Sequence, residues 1–147
     1  MSSSGAIVIL MADDDPADVR LTQKALEECH LKNDFRHVQD GQELLDYLNR
    51  RGRYADPALS PRPGLILLDL NMPGMDGRTA LAHLKADPDL RRIPVVILTT
   101  SKAEEDVARS YDLGANSFVS KPVTFDGLVE VVRTLDTYWF QLVALPH

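Results

Sequence analysis

The chain has 147 residues, the size of a single domain, and 44% of them are hydrophobic, which is enough for one packed core. Its formal net charge is −6 at pH 7, which argues against broad binding to nucleic acid, because such binding needs a positive surface. The one cysteine, Cys29, fits a reducing compartment. The apolar run from Ala6 to Ala12 is too short for a membrane span, so we expect a cytoplasmic protein with no membrane partner.

The N-terminal part of the chain predicts a strand followed by a helix. Three serines and a glycine follow Met1, and we expect residues 1–5 to form a disordered tip. The run Ala6–Met11 is continuously apolar and partly β-branched, which is typical of a strand covered on both faces. Asp15 can cap a helix that begins at Pro16 and extends to about Cys29.

The same alternation of short apolar runs and helical patterns continues along the chain. In order, it predicts a strand over Phe35–Val38, a helix from near Gly41, a strand over Gly64–Asp69, a helix around Ala80–Leu84, a strand over Pro94–Thr99, a helix over about Val107–Leu113, a strand over Asn116–Ser120 and a helix after Pro122. The segment Arg51–Arg62 is rich in Arg, Pro and Gly and is predicted to be an exposed loop.

Five strands alternating with five helices predict an α/β fold. The expected architecture is a doubly wound, five-stranded parallel sheet with right-handed crossovers and helices on both faces. Ligands of such sheets bind at the carboxyl ends of the strands. The residues that follow the strands are therefore the first candidates for a site.

Carboxylates, hydroxyls and one amine follow four of the predicted strands. Each has an ordinary structural interpretation, as a turn residue, a helix cap or a surface charge. Together they are chemically complementary, because crowded carboxylates favour a divalent cation such as Mg²⁺, and a hydroxyl and an amine can bind phosphoryl oxygens. A carboxylate can also accept a phosphoryl group covalently. The residues are Asp13, Asp14, Asp15, Asp69, Thr99, Thr100, Ser101 and Lys121.

These motifs, in this order and at these spacings, resemble a response-regulator receiver domain. The resemblance covers roughly residues 6–135 and implies a flavodoxin-like receiver fold with strand order 2-1-3-4-5. It leaves 136–147 as a C-terminal helical extension, with no output domain. The matching pieces are Asp13-Asp14, the run from Leu67 to Gly77 with Asp69 at its centre, Leu98-Thr99-Thr100-Ser101, Gly114-Ala115 and Ser120-Lys121-Pro122.

The resemblance implies a role for each matching residue. Asp69 is the expected phosphoacceptor. The expected Mg²⁺ ligands are Asp14, Asp13, Asp69 and the backbone carbonyl of Asn71, and Mn²⁺ is a possible substitute. Thr99 and Lys121 are expected to bind the phosphoryl group.

Four further positions are expected to tune the response. Phe118 stands where many receivers carry tyrosine, and it is expected to act as a switch residue without a hydroxyl. Asn71, Thr100 and Ser101 are expected to tune dephosphorylation.

The last predicted helix, Thr124–Val143, carries an apolar stripe that is longer than a small receiver core can cover. One interpretation is that Trp139 and Phe140 fold back on their own core. The other is a homodimer through this helix and the one that starts near Ala103. Its predicted interface residues are Tyr138, Trp139, Leu142 and Val143.

The predicted function is that of a stand-alone two-component response regulator rather than an enzyme. The long loop and the apolar tail resemble single-domain regulators that partner phytochrome-type histidine kinases, so the expected partner is a bacteriophytochrome. We expect no nucleic-acid partner.

The alternatives are a phosphate sink or a pseudo-receiver scaffold. A flavin-binding module is disfavoured because three consecutive acids in the first loop would repel a phosphate. An aspartyl-phosphate hydrolase is disfavoured because Asn71 stands where an acid is needed.

Overall fold

The computed structural model describes residues 7–28, 33–69, 77–99 and 117–120. Five parallel strands form one sheet in the order β2-β1-β3-β4-β5, which confirms the predicted fold class and strand order. The strands are β1 (Ile7–Ala12), β2 (Asn33–Val38), β3 (Leu65–Asp69), β4 (Val95–Thr99) and β5 (Ser117–Ser120). The helices among the described residues are α1 (Pro16–Glu28), α2 (Gly41–Asn49) and α3 (Gly77–Ala86), with 3₁₀ turns at Gly52–Tyr54 and Leu90–Arg92.

The buried side chains form two layers, one on each face of the sheet. Alternate residues of one strand point to opposite faces, so Leu10 joins one layer and Met11 the other. The first layer packs α2 and α3 on the sheet and includes Leu44, Leu81 and Leu84. The second packs α1 on the other face through Val19 and Leu26. β3 is covered on both sides, because all five of its residues are buried.

β2 begins at Asn33, two residues before the predicted start at Phe35. The reason is its place at the edge of the described sheet. An edge strand has one open side and accommodates polar residues, so the apolar run does not mark its start. Asp34 and Arg36 lie on this strand and form an ion pair of 2.8 Å, and that bond raises the pKa of Arg36.

α2 has well-formed ends. The Asp40 carboxylate accepts a hydrogen bond of 2.8 Å from the Glu43 backbone N–H, and the Glu43 carboxylate accepts one of 2.8 Å from the Gln39 backbone N–H. The arrangement differs from a capping box in one respect, because the Glu43 carboxylate accepts from the residue before the N-cap Asp40 and not from Asp40 itself. At the other end, Arg50 adopts a left-handed conformation with φ 54°, and its backbone N–H bonds to the Tyr47 carbonyl at 3.2 Å.

The prediction that Arg51–Arg62 is simply an exposed loop was wrong in part. Tyr54 is 8% exposed and Ser60 is 1% exposed. The Tyr54 hydroxyl donates to the Glu43 carboxylate, and the Ser60 hydroxyl donates to the Tyr54 carbonyl at 2.9 Å. The Tyr47 hydroxyl donates to the Pro61 carbonyl at 2.7 Å. The segment is therefore anchored in the core by two tyrosines and a serine, while other residues, such as Leu59, remain exposed.

Several predictions fall outside the described residues. These are the N-terminal tip, the helix over Val107–Leu113, the end of the receiver domain near residue 135 and the C-terminal extension 136–147. Among the helices that are described, none is long and apolar enough to cross a membrane.

Candidate metal and phosphoryl site

The carboxyl ends of the three central strands lie level with one another. Ala12 of β1 pairs with Leu68 of β3, and Asp69, the last residue of β3, pairs with Leu98 of β4. Asp13, which directly follows β1, therefore stands beside Asp69 at one edge of the sheet. Both side chains are buried, with Asp13 0% exposed and Asp69 2% exposed.

Three carboxylates converge at this edge. One oxygen from each of Asp13, Asp14 and Asp69 lies within 4.8 Å of the others. We call these three residues the acidic cluster. Asp14 is exposed whereas the other two are buried, so the cluster lies at the surface end of a buried strand pair. The sequence analysis predicted all three, and the structure brings them together.

Asp15, the third of the consecutive acids, has a different role. The Asp15 carboxylate accepts a hydrogen bond of 2.9 Å from the Ala17 backbone N–H, in the first turn of α1. This is the helix-capping role that the sequence predicted for it. Asp15 is thus engaged with its own helix, and the acidic cluster consists of the two preceding acids together with Asp69.

Asp13 is held through three of its own atoms. Its backbone N–H donates to the Val38 carbonyl at 3.1 Å, and one carboxylate oxygen accepts from the Asp15 backbone N–H at 2.8 Å. Its backbone carbonyl lies 2.7 Å from Nε2 of His37. Sequence reasoning missed His37, because it has no metal-ligand spacing to the other histidines. The only available signal was its place at the end of a strand predicted to lie beside β1.

The donor set fits a hard divalent cation. Carboxylate oxygens are the ligands that Mg²⁺ favours, and Mg²⁺ binds through one or two carboxylates while keeping several waters. Two buried carboxylates at this spacing repel each other, and a cation relieves that repulsion. The exposure of Asp14 leaves a solvent side where a phosphoryl oxygen can enter. The acidic cluster could therefore bind a divalent metal ion next to Asp69.

The remaining predicted site residues are described only in part. Thr99 ends β4 and pairs with Ser120, and Phe118 of β5 pairs with Ile97, but only the backbone register of Thr99 and Phe118 is described. Thr99 therefore ends its strand at the same sheet edge as Asp69. The other predicted residues, Asn71, Thr100, Ser101, Lys121, Tyr138, Trp139, Leu142 and Val143, lie outside the described ranges.

The order of the strands and the acids at the carboxyl edge of the sheet are typical of one class of signalling protein. The response regulator receiver domain family matches residues 9–133, so the chain belongs to that family. The resemblance on which the sequence analysis rested is confirmed. A receiver domain accepts a phosphoryl group from a histidine kinase, and it uses a divalent metal ion in doing so.

Its similarity to particular proteins is high over most of the chain. Response regulator Rcp1 of Synechocystis sp. is 42% identical over 139 residues, which are 95% of this chain and 92% of Rcp1. The crystal structure of the phosphorylated cyanobacterial phytochrome response regulator RcpA is 41% identical, has a TM-score of 0.83 and covers 97% of this chain and 99% of RcpA. The Mn²⁺-bound crystal structure of Rcp1 has a TM-score of 0.80 at 42% identity, covering 96% and 99% of the two chains.

Proposed function

We propose that this chain is the phosphoacceptor partner of a phytochrome-type histidine kinase, a bacteriophytochrome, and that Asp69 is the residue that becomes phosphorylated. The proposed cofactor is Mg²⁺, for which Mn²⁺ can substitute. The proposed setting is the cytoplasm, and the output is contact with other proteins, including a second copy of the chain. The chain acts on its own side chain and not as an enzyme on a separate substrate.

The observation that carries this proposal is the position of Asp69. It ends the central buried strand β3, and its carboxylate lies within 4.8 Å of both other acids of the cluster. A carboxylate in that place is close enough to share a cation with Asp13 and Asp14. A cation held by these three carboxylates would supply positive charge to a phosphoryl group on Asp69.

The covalent step is a transfer between two side chains. A carboxylate oxygen of Asp69 forms a bond to phosphorus, the bond from phosphorus to a phosphohistidine nitrogen of the kinase breaks, and the electron pair leaves with that nitrogen. The product is an acyl phosphate. Little covalent work is left to the protein beyond positioning and charge stabilisation. Mg²⁺, when bound, supplies positive charge to the phosphoryl oxygens.

Asp13 and Asp14 are the proposed metal ligands, together with Asp69 and the backbone carbonyl of Asn71. Asp13 is rigidly placed by its three hydrogen-bonded atoms, which supports a fixed ligand position.

Two residues are proposed to bind the phosphoryl group, one at the end of β4 and one that follows β5 in sequence. Thr99 is proposed to donate its hydroxyl to a phosphoryl oxygen and Lys121 to pair with another. Thr99 ends β4 at the edge that carries Asp69, and Lys121 directly follows β5, so the chain order supports both assignments. Phe118 is proposed to switch with them, and Asn71, Thr100 and Ser101 to set the phosphoryl lifetime.

The proposed kinase partner is supported by the similarity of this chain to phytochrome response regulators. RcpA is a phytochrome response regulator, and its similarity to this chain extends over nearly the full length of both. A homodimer through Tyr138, Trp139, Leu142 and Val143 remains part of the proposal. It is supported by the apolar stripe in the sequence.

The two alternative functions keep the fold, and only the pseudo-receiver scaffold lacks the phosphoryl chemistry. A pseudo-receiver scaffold would not require three carboxylates at the strand ends, which cost stability through repulsion. A phosphate sink would use the same acceptor and differ only in having no downstream partner. The acidic cluster therefore favours a working phosphoacceptor over a scaffold.

The test is phosphorylation by a small donor. The wild-type chain, treated with acetyl phosphate and Mg²⁺, is expected to gain the mass of one phosphoryl group in intact-mass spectrometry. The gain is expected to disappear with EDTA and in Asp69→Asn, because both remove an element of the reaction. Asp15→Asn is the matched control, since Asp15 caps α1 outside the acidic cluster, and it is expected to be modified like the wild type.

Absence of any gain on the wild type, with the donor shown to modify another receiver, would refute the phosphoacceptor role. Modification that persists in Asp69→Asn would move the acceptor to another residue. To test the partner, a phytochrome histidine kinase carrying labelled phosphohistidine is expected to transfer its label to the wild type and not to Asp69→Asn.

A further inference from the structure

The acidic loop after β1 is held by the end of the neighbouring strand β2. Ala12 pairs with Val38 in the regular register, and the ladder continues one step further because the Asp13 backbone N–H donates to the Val38 carbonyl at 3.1 Å. That bond joins two backbones and needs no particular side chain. A second bond from the same strand depends on a histidine side chain.

Nε2 of His37 lies 2.7 Å from the Asp13 backbone carbonyl. A carbonyl oxygen only accepts hydrogen bonds, so Nε2 carries the hydrogen and donates it. His37 pairs with Met11 across the two strands, one position before Ala12 and Val38. The imidazole therefore reaches past the end of β1 to the backbone of the acidic loop.

The accepted carbonyl belongs to the peptide that joins Asp13 to Asp14. Fixing that oxygen fixes the plane of the peptide, and the plane helps to set the direction in which the Asp14 side chain leaves the backbone. Asp13 is already buried and bonded through its carboxylate to the Asp15 N–H. Asp14 is exposed, so packing alone does not hold it in place.

We infer that His37 is a positioning residue for the divalent-cation site. Its imidazole orients the Asp13–Asp14 peptide so that the Asp14 carboxylate converges with those of Asp13 and Asp69. His37 does not touch the cation. Groups that orient metal ligands from one step away commonly matter for metal affinity. This inference rests on the proposed role of the acidic cluster as the metal site.

The expected effect is on cation affinity. His37→Phe keeps a ring on β2 but removes the donor. The hydrogen bond is partly open to water, so its loss is expected to raise the Mn²⁺ dissociation constant roughly two- to fivefold. His37→Gln places an amide N–H donor at a similar reach and is expected to restore affinity close to that of the wild type.

The experiment measures Mn²⁺ binding directly, by the electron paramagnetic resonance signal of the free ion, at one fixed pH and with Mg²⁺ as competitor. His83→Phe is the matched control, because His83 is exposed on α3 and takes no part in the acidic cluster. Thermal unfolding in EDTA is recorded for each variant, so that a general loss of stability is separated from a loss of affinity.

Weaker binding in His37→Phe, with recovery in His37→Gln and no change in His83→Phe, supports the inference. Equal affinity in His37→Phe and the wild type overturns it, even if His37→Phe melts earlier, since the histidine would then be only structural. Equally weak binding in both His37 variants also overturns it. A wild type that binds no Mn²⁺ at all refutes the metal site itself and, with it, the proposed function.

Discussion

The acidic cluster and the segment after α2 bring polar groups together in different ways. In the cluster, carboxylates of the same charge lie within 4.8 Å of one another. In the segment after α2, donors meet acceptors: Tyr54 with Glu43, Tyr47 with Pro61 and Ser60 with Tyr54. The two tyrosine rings also pack together, with centroids 5.2 Å apart.

This difference between the two regions suggests that one contributes mainly to stability and the other mainly to function. Complementary buried pairs stabilise the fold, whereas like charges in the cluster repel one another, and a bound cation relieves that repulsion. Changes after α2 are therefore expected to cost stability and spare phosphoryl chemistry. Changes in the acidic cluster are expected to do the reverse.

The largest effect is expected for Tyr54→Ala. This change removes a ring that is 8% exposed and packed against Tyr47, together with the hydroxyl bond to Glu43. The expected loss in the free energy of unfolding is about 3 kcal/mol, because truncation of a buried aromatic leaves a cavity. Urea unfolding monitored by circular dichroism measures it.

The control for this change is Tyr54→Phe, which keeps the ring and is expected to lose only about 1 kcal/mol. Under conditions where the variants are folded, acetyl phosphate is expected to modify all of them at the wild-type rate. A phosphorylation rate that falls with stability in Tyr54→Ala would break the separation between the two regions.

The second effect has the opposite sign and is expected in the acidic cluster. Asp13→Asn keeps an oxygen that can accept from the Asp15 N–H but removes one buried negative charge next to Asp69. Without metal, it is expected to raise the free energy of unfolding by about 1–2 kcal/mol, because like-charge repulsion is relieved. Differential scanning calorimetry in EDTA measures the change.

Addition of Mg²⁺ sharpens this prediction. The wild type is expected to gain stability with Mg²⁺ concentration, because a ligand that binds only the folded state stabilises it. Asp13→Asn is expected to gain much less. If Asp13→Asn proves less stable than the wild type in EDTA, the carboxylates do not oppose folding and the comparison drawn above is wrong.

The smallest effect concerns pH. Burial raises the pKa of Tyr47 to about 12, above the ordinary value of 10.0. A group whose folded pKa is raised contributes stability that is complete below its unfolded pKa and is lost as pH rises through the folded pKa. The stability advantage of the wild type over Tyr47→Phe is therefore expected to shrink by about 1 kcal/mol between pH 9 and pH 11.

Urea unfolding of both proteins at the two pH values measures this difference. The Asp15→Asn variant serves as the control, because it keeps Tyr47 and is expected to follow the wild-type slope. A constant difference between wild type and Tyr47→Phe would mean that Tyr47 titrates equally in the folded and unfolded states.

The sequence by itself determined the sheet and the identity of the acids at its edge. Apolar runs such as Val95–Leu98 and Leu65–Leu68 predict buried strands, since a parallel strand is covered on both faces. Acids that follow such runs lie at the carboxyl edge of the sheet, because all parallel strands end there, and the receiver resemblance implied the strand order in which β1 and β3 are neighbours. This is why the sequence is enough to name Asp13, Asp14 and Asp69 as the acids of the site.

Only the tertiary structure decided which polar residues away from the motifs matter. The loop Arg51–Arg62 looks exposed in sequence because its composition is that of a turn, yet Tyr54 and Ser60 are buried by contacts with α2 and with each other. His37 meets Asp13 across 24 positions of sequence. Neither contact produces a periodic pattern in the sequence, because each depends on how two separate segments of the chain pack in the fold.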